Sequence, residues 1–168
     1  MAGTSEIRIS HDSHTWAATA AELVQAVGQE AVRAKGQFLL ALSGGRTPEI
    51  LYGALTSPSF ADRFDWSHTT FFFGDERCVL PDDPRSNYVL ANKALFTPLN
   101  IAPSQVCRMK GESGDQQQAA VEYEQQLRRA TKTPAPAQPQ LDLILLGLGE
   151  DGHIASLFPG TPILRDRY

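Results

Sequence analysis

Three short segments join residue types that can do chemistry to backbone that can bend to use them. Glu150-Asp151-Gly152-His153 sets an imidazole two positions after a carboxylate. A neutral imidazole can take a proton from water, and a neighbouring carboxylate fixes its tautomer and stabilises the imidazolium that forms. His153 is therefore the candidate general base, with Glu150 and Asp151 as the acids beside it; the plainer alternative is a loop histidine that caps the following helix. Ser43-Gly44-Gly45-Arg46-Thr47-Pro48 offers consecutive backbone N–H groups with little side-chain bulk at a helix start. Unsatisfied amides and the helix dipole both favour an anion there, so Ser43, Gly44 and Gly45 are candidate phosphate contacts. A tight turn that binds nothing is the competing explanation. Gly74-Asp75-Glu76-Arg77 again puts charge at a strand end, and the Arg77 guanidinium could hold a phosphate or carboxylate bidentately. A surface ion pair of Arg77 with Asp75 or Glu76, worth little, would explain the same residues.

Two other readings compete for these segments. Ala41-Leu42-Ser43-Gly44-Gly45 is close to a serine-hydrolase nucleophile elbow, and Asp142 or Asp151 with His153 would complete a Ser…Asp…His order. Against it, the first small residue is Ala and no segment identifies itself as an oxyanion loop. Gly147-x-Gly149-x-x-Gly152 matches the dinucleotide fingerprint by letter, but Glu150 and Asp151 would occupy the place of the diphosphate. Like charges 4 Å apart cost about 1 kcal/mol in water and several times more near a protein surface. Too few residues follow Gly152 to complete such a unit. His11 and His14 fall at a helix start, where capping is expected rather than metal binding, and no strong metal constellation is present.

The elements that must carry these segments alternate between strand and helix. Asp12 or Ser13 is the expected N-cap of a helix with Trp16, Ala20, Leu23, Val24, Val27 and Ala31 on one face, ended by Gly36. Residues 38–42, Phe-Leu-Leu-Ala-Leu, form a continuous apolar run suited to a strand covered on both faces. Thr47 and Pro48 are expected as N-cap and first residue of a second helix reaching about Leu55. Residues 69–73 predict a second strand. Ser86 is the expected cap of a helix carrying Tyr88, Ala91, Leu95 and Phe96, and Ala119, Tyr123 and Leu127 mark another. Residues 131–140, with Pro134, Pro136 and Pro139, predict an extended surface connection to a third strand at 141–146. Ile7 to Ile9 is a short apolar/polar alternation. The expected fold class is α/β: a three-layer, Rossmann-like, mostly parallel sheet with helices on both faces, formed by one domain over residues 1–168. Ligands of such sheets bind beyond the carboxyl ends of the strands, where the three segments would converge if the strands run parallel.

Composition narrows the function class further. The 168 residues are 42% hydrophobic and 20% charged, as in an ordinary globular domain. No apolar run approaches the roughly 18 residues of a membrane helix, so no membrane partner is expected. A net charge of −4 argues against a non-specific nucleic-acid binder while leaving room for a local basic pocket. Cys78 and Cys107 form no CxxC motif and are expected as thiols in a reducing cytoplasm; the polar, mixed-charge N-terminus is expected to carry no secretory signal.

With these residues in hand, the chain resembles the 6-phosphogluconolactonase family, in order, from about residue 7 to residue 160. The matching pieces are Ser43-Gly-Gly-Arg-Thr-Pro48, Gly74-Asp-Glu-Arg77, Arg85-Ser-Asn-Tyr88 and Gly147-Leu-Gly-Glu-Asp-Gly-His-Ile-Ala-Ser-Leu-Phe-Pro-Gly160. Glucosamine-6-phosphate deaminases of the same superfamily carry Tyr where Arg77 stands and Glu where Phe158 stands. Phe158 cannot transfer a proton, so both positions favour the lactonase, while Ile154 replaces the more usual lactonase Thr. The resemblance implies hydrolysis of 6-phosphoglucono-1,5-lactone to 6-phosphogluconate in the oxidative pentose phosphate pathway, without metal or organic cofactor. It implies His153 as general base oriented by Asp151, with Ser43, Gly44, Gly45 and Arg77 binding the sugar phosphate and hydroxyls and Asp75 positioning. Family members continue beyond the Phe-Pro-Gly block, so this sequence is expected to be about the first two-thirds of a larger α/β unit or a natural truncation. The rival expectations are a serine hydrolase using Ser43 and a non-catalytic sugar-phosphate-binding fragment.

Overall fold

Residues 38–42 carry no polar side chain, and a strand of that kind is stable only when both its faces are covered. The computed structural model, which describes residues 5–166, places this run as the central strand of a three-stranded sheet. β1 is Phe38–Leu42, β2 is Thr69–Phe73 and β3 is Leu143–Ile144, in the order β2-β1-β3. Both pairings are parallel, with Phe38 opposite Thr69, Leu42 opposite Phe73 and Leu40 opposite Leu143. The first four residues and the last two, which include part of the polar N-terminus and of the chain end, lie outside the described residues.

Alternation along β1 and β2 divides the core into two layers. Phe38, Leu40, Leu42, Phe71 and Phe73 face one side, where they meet Ala21 and Val24 of α1 (Ser13–Lys35) and Leu51, Tyr52 and Leu55 of α2 (Arg46–Leu55). The same layer receives Ala91 from α3 (Asn87–Ala91), and Leu95 and Phe96 from the π-helical turn Asn92–Phe96 that prolongs it. Leu39, Ala41 and Phe72 face the other side and meet Tyr123 of α4 (Gln116–Thr131). The architecture is thus α/β with helices on both faces. A run of aromatic edge contacts, Phe38 to Phe64 at 6.1 Å and Phe64 to Trp66 at 4.8 Å, fills the end of the larger layer.

The helix ends follow side-chain chemistry. Asp12 caps α1 by accepting from the Thr15 N–H at 2.7 Å, and Gly36 closes it in the left-handed region at φ 75°. Ser86 caps α3 and Asp115 caps α4. The start of α2 differs from the Thr47–Pro48 expectation. Gly45 is the N-cap, at φ 104°, and Arg46 is already helical. Glycine is required there because the turn out of β1 needs a backbone conformation that a Cβ resists.

The third strand is shorter than the expected 141–146. Asp142 Oδ2 accepts the Leu39 N–H at 2.8 Å. Lys35 pairs with the same carboxylate at 2.9 Å. The Asp142 N–H donates to the Leu39 carbonyl at 3.0 Å, so backbone and side chain of Asp142 together hold Leu39 at the start of β3. The outer side of β3 has no strand beside it among the described residues, and Ile144 and Leu146 are 51% and 58% exposed. Ile7 and Ile9 likewise lie exposed and outside the sheet. No helix among the described residues is long and apolar enough to cross a membrane.

Candidate active site

Three parallel strands that end at one edge deliver their following loops to one place, and the parallel register makes this unavoidable here. The loops after β1, β2 and β3 border a cavity of about 470 Å³. Ser43, Gly44, Gly45, Arg46, Thr47 and Pro48 line it from β1; Asp75 and Arg77 line it from β2; residues 146–149, His153 and Ala155 line it from β3. Asp151 does not line the cavity but stands behind His153. Trp16, which the helical pattern marked only as a core position, also reaches this cavity from the first turns of α1.

The histidine loop is folded on itself. The Gly149 N–H donates to the His153 carbonyl at 2.9 Å, and the Gly152 N–H to the Gly149 carbonyl at 2.9 Å. A Cβ on Gly149 would overlap the His153 ring and the Asp151 carboxylate, so glycine is what permits this closure. Asp151 Oδ1 lies 2.5 Å from His153 Nδ1 and also accepts the His153 N–H at 3.2 Å. These two contacts, the ring contact first, hold the Asp151 carboxyl below the usual carboxylate range. An ionised carboxylate only accepts, so Nδ1 donates, and in the neutral ring the lone pair then lies on Nε2. Phe158 stacks on the imidazole at 4.6 Å and 25°. Beyond His153 the chain makes a tight turn, with Ile154 and Leu157 exchanging backbone hydrogen bonds and Ala155 at φ 51°. His153 therefore leads into a turn and does not cap a helix.

The glycine loop is anchored from below. The buried Tyr52 hydroxyl donates to the Ser43 carbonyl at 2.6 Å and accepts from the Ser43 N–H at 3.2 Å. Ser43 Oγ donates to the Gly44 carbonyl at 3.4 Å, which directs its proton to backbone rather than to an imidazole. No side chain caps α2, so its first-turn N–H groups are left to an anion or to water.

The third loop is organised by a residue that motif reading passed over. Glu76 turns away from the solvent-facing role of a strand-end charge. Its carboxylate accepts from the Arg77 N–H at 2.8 Å, Ser86 Oγ at 2.9 Å, the Asn87 N–H at 2.7 Å and the Tyr88 N–H at 2.9 Å. It thereby ties the loop after β2 to the N-terminus of α3, where a negative charge is favoured. The Arg77 guanidinium donates to the Arg85 carbonyl at 3.0 Å, and pairs with neither Asp75 nor Glu76. Asp142, the alternative triad acid, is committed to Leu39 and Lys35 at the opposite end of the sheet from His153.

Comparison with known proteins adds what geometry alone does not. The family model described as glucosamine-6-phosphate isomerases/6-phosphogluconolactonase matches residues 11–168. The chain is 42% identical over 135 residues to a 6-phosphogluconolactonase of Synechocystis sp., covering 80% of this chain and 55% of that protein. To the 6-phosphogluconolactonase of Mycobacterium tuberculosis it is 40% identical over 164 residues, covering 95% and 65%. The crystal structure of the devB protein superposes with a TM-score of 0.83 at 37% identity, over 95% of this chain and 64% of that one. The 6-phosphogluconolactonase from Trypanosoma cruzi does so with a TM-score of 0.80 at 28% identity, over 96% and 65%. The chain therefore spans just over half to about two-thirds of the length of these relatives. A match that runs through all three strand-end loops leaves one conclusion: the chain belongs to the family of glucosamine-6-phosphate isomerases and 6-phosphogluconolactonases.

Proposed function

We propose that this chain carries the catalytic loops of a 6-phosphogluconolactonase, hydrolysing 6-phosphoglucono-1,5-lactone with His153 as general base. The observation that carries this reading is the Asp151–His153 contact, which turns Nδ1 to the carboxylate and leaves Nε2 free of it on a ring that lines the cavity. Nε2 takes a proton from a water molecule as its oxygen bonds to the lactone carbonyl carbon. The tetrahedral intermediate collapses by breaking the bond to the ring oxygen, which receives that proton from the imidazolium. Asp151 stabilises the imidazolium between the two transfers. Proton transfer of this kind contributes about 10²–10⁴-fold.

The substrate phosphate and hydroxyls are assigned to the open N–H groups at the start of α2, to Ser43, Gly44 and Gly45, and to Arg77. Asp75 positions a sugar hydroxyl. Phe158, stacked on the imidazole where the deaminases carry a glutamate, favours the lactonase over the deaminase, since ring opening and amine loss need a further proton-transfer group. The test is hydrolysis of 6-phosphogluconolactone by the full chain and its His153→Ala variant. Loss of about 10²–10⁴-fold in the variant is expected, and full retention of activity would overturn the assignment.

A further inference from the structure

Asn87 is the first residue of α3, lies outside the cavity and is only 3% exposed, yet it touches two of the three site loops. Its Nδ2 donates to the Asp75 carbonyl at 3.0 Å and to Asp75 Oδ1 at 3.0 Å. Its Oδ1 packs against the Cα of Gly44 so closely that a Cβ at residue 44 would overlap the carboxamide. The other carboxylate oxygen, Asp75 Oδ2, accepts from Ser156 Oγ at 3.3 Å in the histidine loop. One side chain thus bears on the glycine loop directly, on Asp75 through two hydrogen bonds, and on the histidine loop through Asp75.

We propose that Asn87 is a positioning residue that locks the Asp75 carboxylate and the Gly44 backbone into one arrangement, setting the spacing between the anion-binding loop and the His153 loop. A carboxamide is required because the site needs a donor toward the Asp75 carboxylate and an uncharged oxygen against Gly44. A carboxylate in its place would face the charges of Asp75 and Glu76 with no proton to offer. Its catalytic consequence rests on the lactonase reading above, whereas its effect on loop order does not.

The Asn87→Asp variant keeps the side-chain shape, and an acidic residue is tolerated in the first turn of a helix. Two carboxylates in contact share a proton at low pH, which restores the hydrogen bond, and repel once both ionise. Relative to the wild-type chain at the same pH, protection from hydrogen exchange is therefore expected to fall in the amides of residues 43–45 and 153–156 as pH increases from 5 to 8, with protection of α1 and β1 unchanged. In the hydrolysis assay, KM is expected to rise about tenfold at pH 8, the loss of a hydrogen bond to a charged group, and to approach wild type near pH 5. A merely structural role predicts a uniform rise in exchange with no pH slope in KM. Unchanged loop exchange, a uniform rise, or a KM equal to wild type at every pH overturns the proposal. A wild-type chain that leaves the lactone intact while the exchange pattern holds sinks the lactonase reading and leaves the role of Asn87 standing.

Discussion

The hydroxyl of Tyr52 satisfies both backbone groups of Ser43, donating to its carbonyl at 2.6 Å and accepting from its N–H at 3.2 Å. From the opposite face of the sheet, Tyr123 does the same for Phe73, donating to its carbonyl at 2.9 Å and accepting from its N–H at 2.8 Å. Each tyrosine clamps the end of a strand just before a site loop, one from α2 and one from α4. These backbone groups lie where ladder pairing runs out, and burial would otherwise leave them without partners.

Tyr52→Phe removes one oxygen and leaves two part-buried backbone groups without this partner. The expected cost is about 1–3 kcal/mol, measured as a lower urea midpoint with an unchanged slope. The glycine loop is expected to exchange faster with solvent than the rest of β1. A midpoint equal to wild type would show that water replaces the hydroxyl without loss.

Gly44→Ala places a methyl group where the Asn87 carboxamide lies, and the carboxamide is held by Asp75. Overpacking of a buried contact costs about 1–3 kcal/mol. At about 2–4 °C per kcal/mol for a chain of this size, the melting temperature is expected to fall by about 2–12 °C. Combining Gly44→Ala with Asn87→Ala should recover part of that loss, because the two residues share one space. Strict additivity of the two changes would count against the contact.

Both buried tyrosines set an alkaline limit. Burial pushes the Tyr52 and Tyr123 hydroxyls well above their ordinary value of 10.0. The folded state then binds more protons than the unfolded state above that value, so this stabilisation is complete below pH 10 and is lost as pH rises. A titration followed by phenolate absorbance should show these two groups ionising together with unfolding. At the acid end the sign reverses for Asp151, whose carboxyl is held low by His153. Its contribution is present above about pH 4 and is lost as pH falls through the lowered value. Protection of the amides of residues 149–157, taken against the intrinsic rate at each pH, should fall there before that of the sheet, and loop protection that is the same at pH 2 as at pH 5 would contradict the Asp151–His153 contact.

Much of this arrangement is legible before folding. The all-apolar composition of residues 38–42 demands cover on both faces, and the two helical layers supply it. The caps Asp12, Gly36 and Ser86 work by local chemistry and stand where sequence places them. The three loops could be picked out because glycine beside charge at a strand end is rarely a core pattern. Glu76 was not legible in the same way. A charge at a strand end looks solvent-facing until the start of α3, ten residues on, is brought against it. Asp142 was misleading for the converse reason, since chain order allows it in a triad while the sheet register puts it at the far end from His153.

By itself the sequence determined the strand and helix types, their alternation and the identity of the three chemically equipped loops, because these depend on periodicity, capping and residue type within a few neighbours. Only the tertiary structure decided that Asn87 bears on both Gly44 and Asp75, that Ser156 reaches Asp75 across 81 positions, and that two tyrosines close the strand ends. Those contacts join residues 9 to 81 positions apart on different elements. No local rule encodes them, because they exist only once parallel pairing has brought three strand ends to one edge.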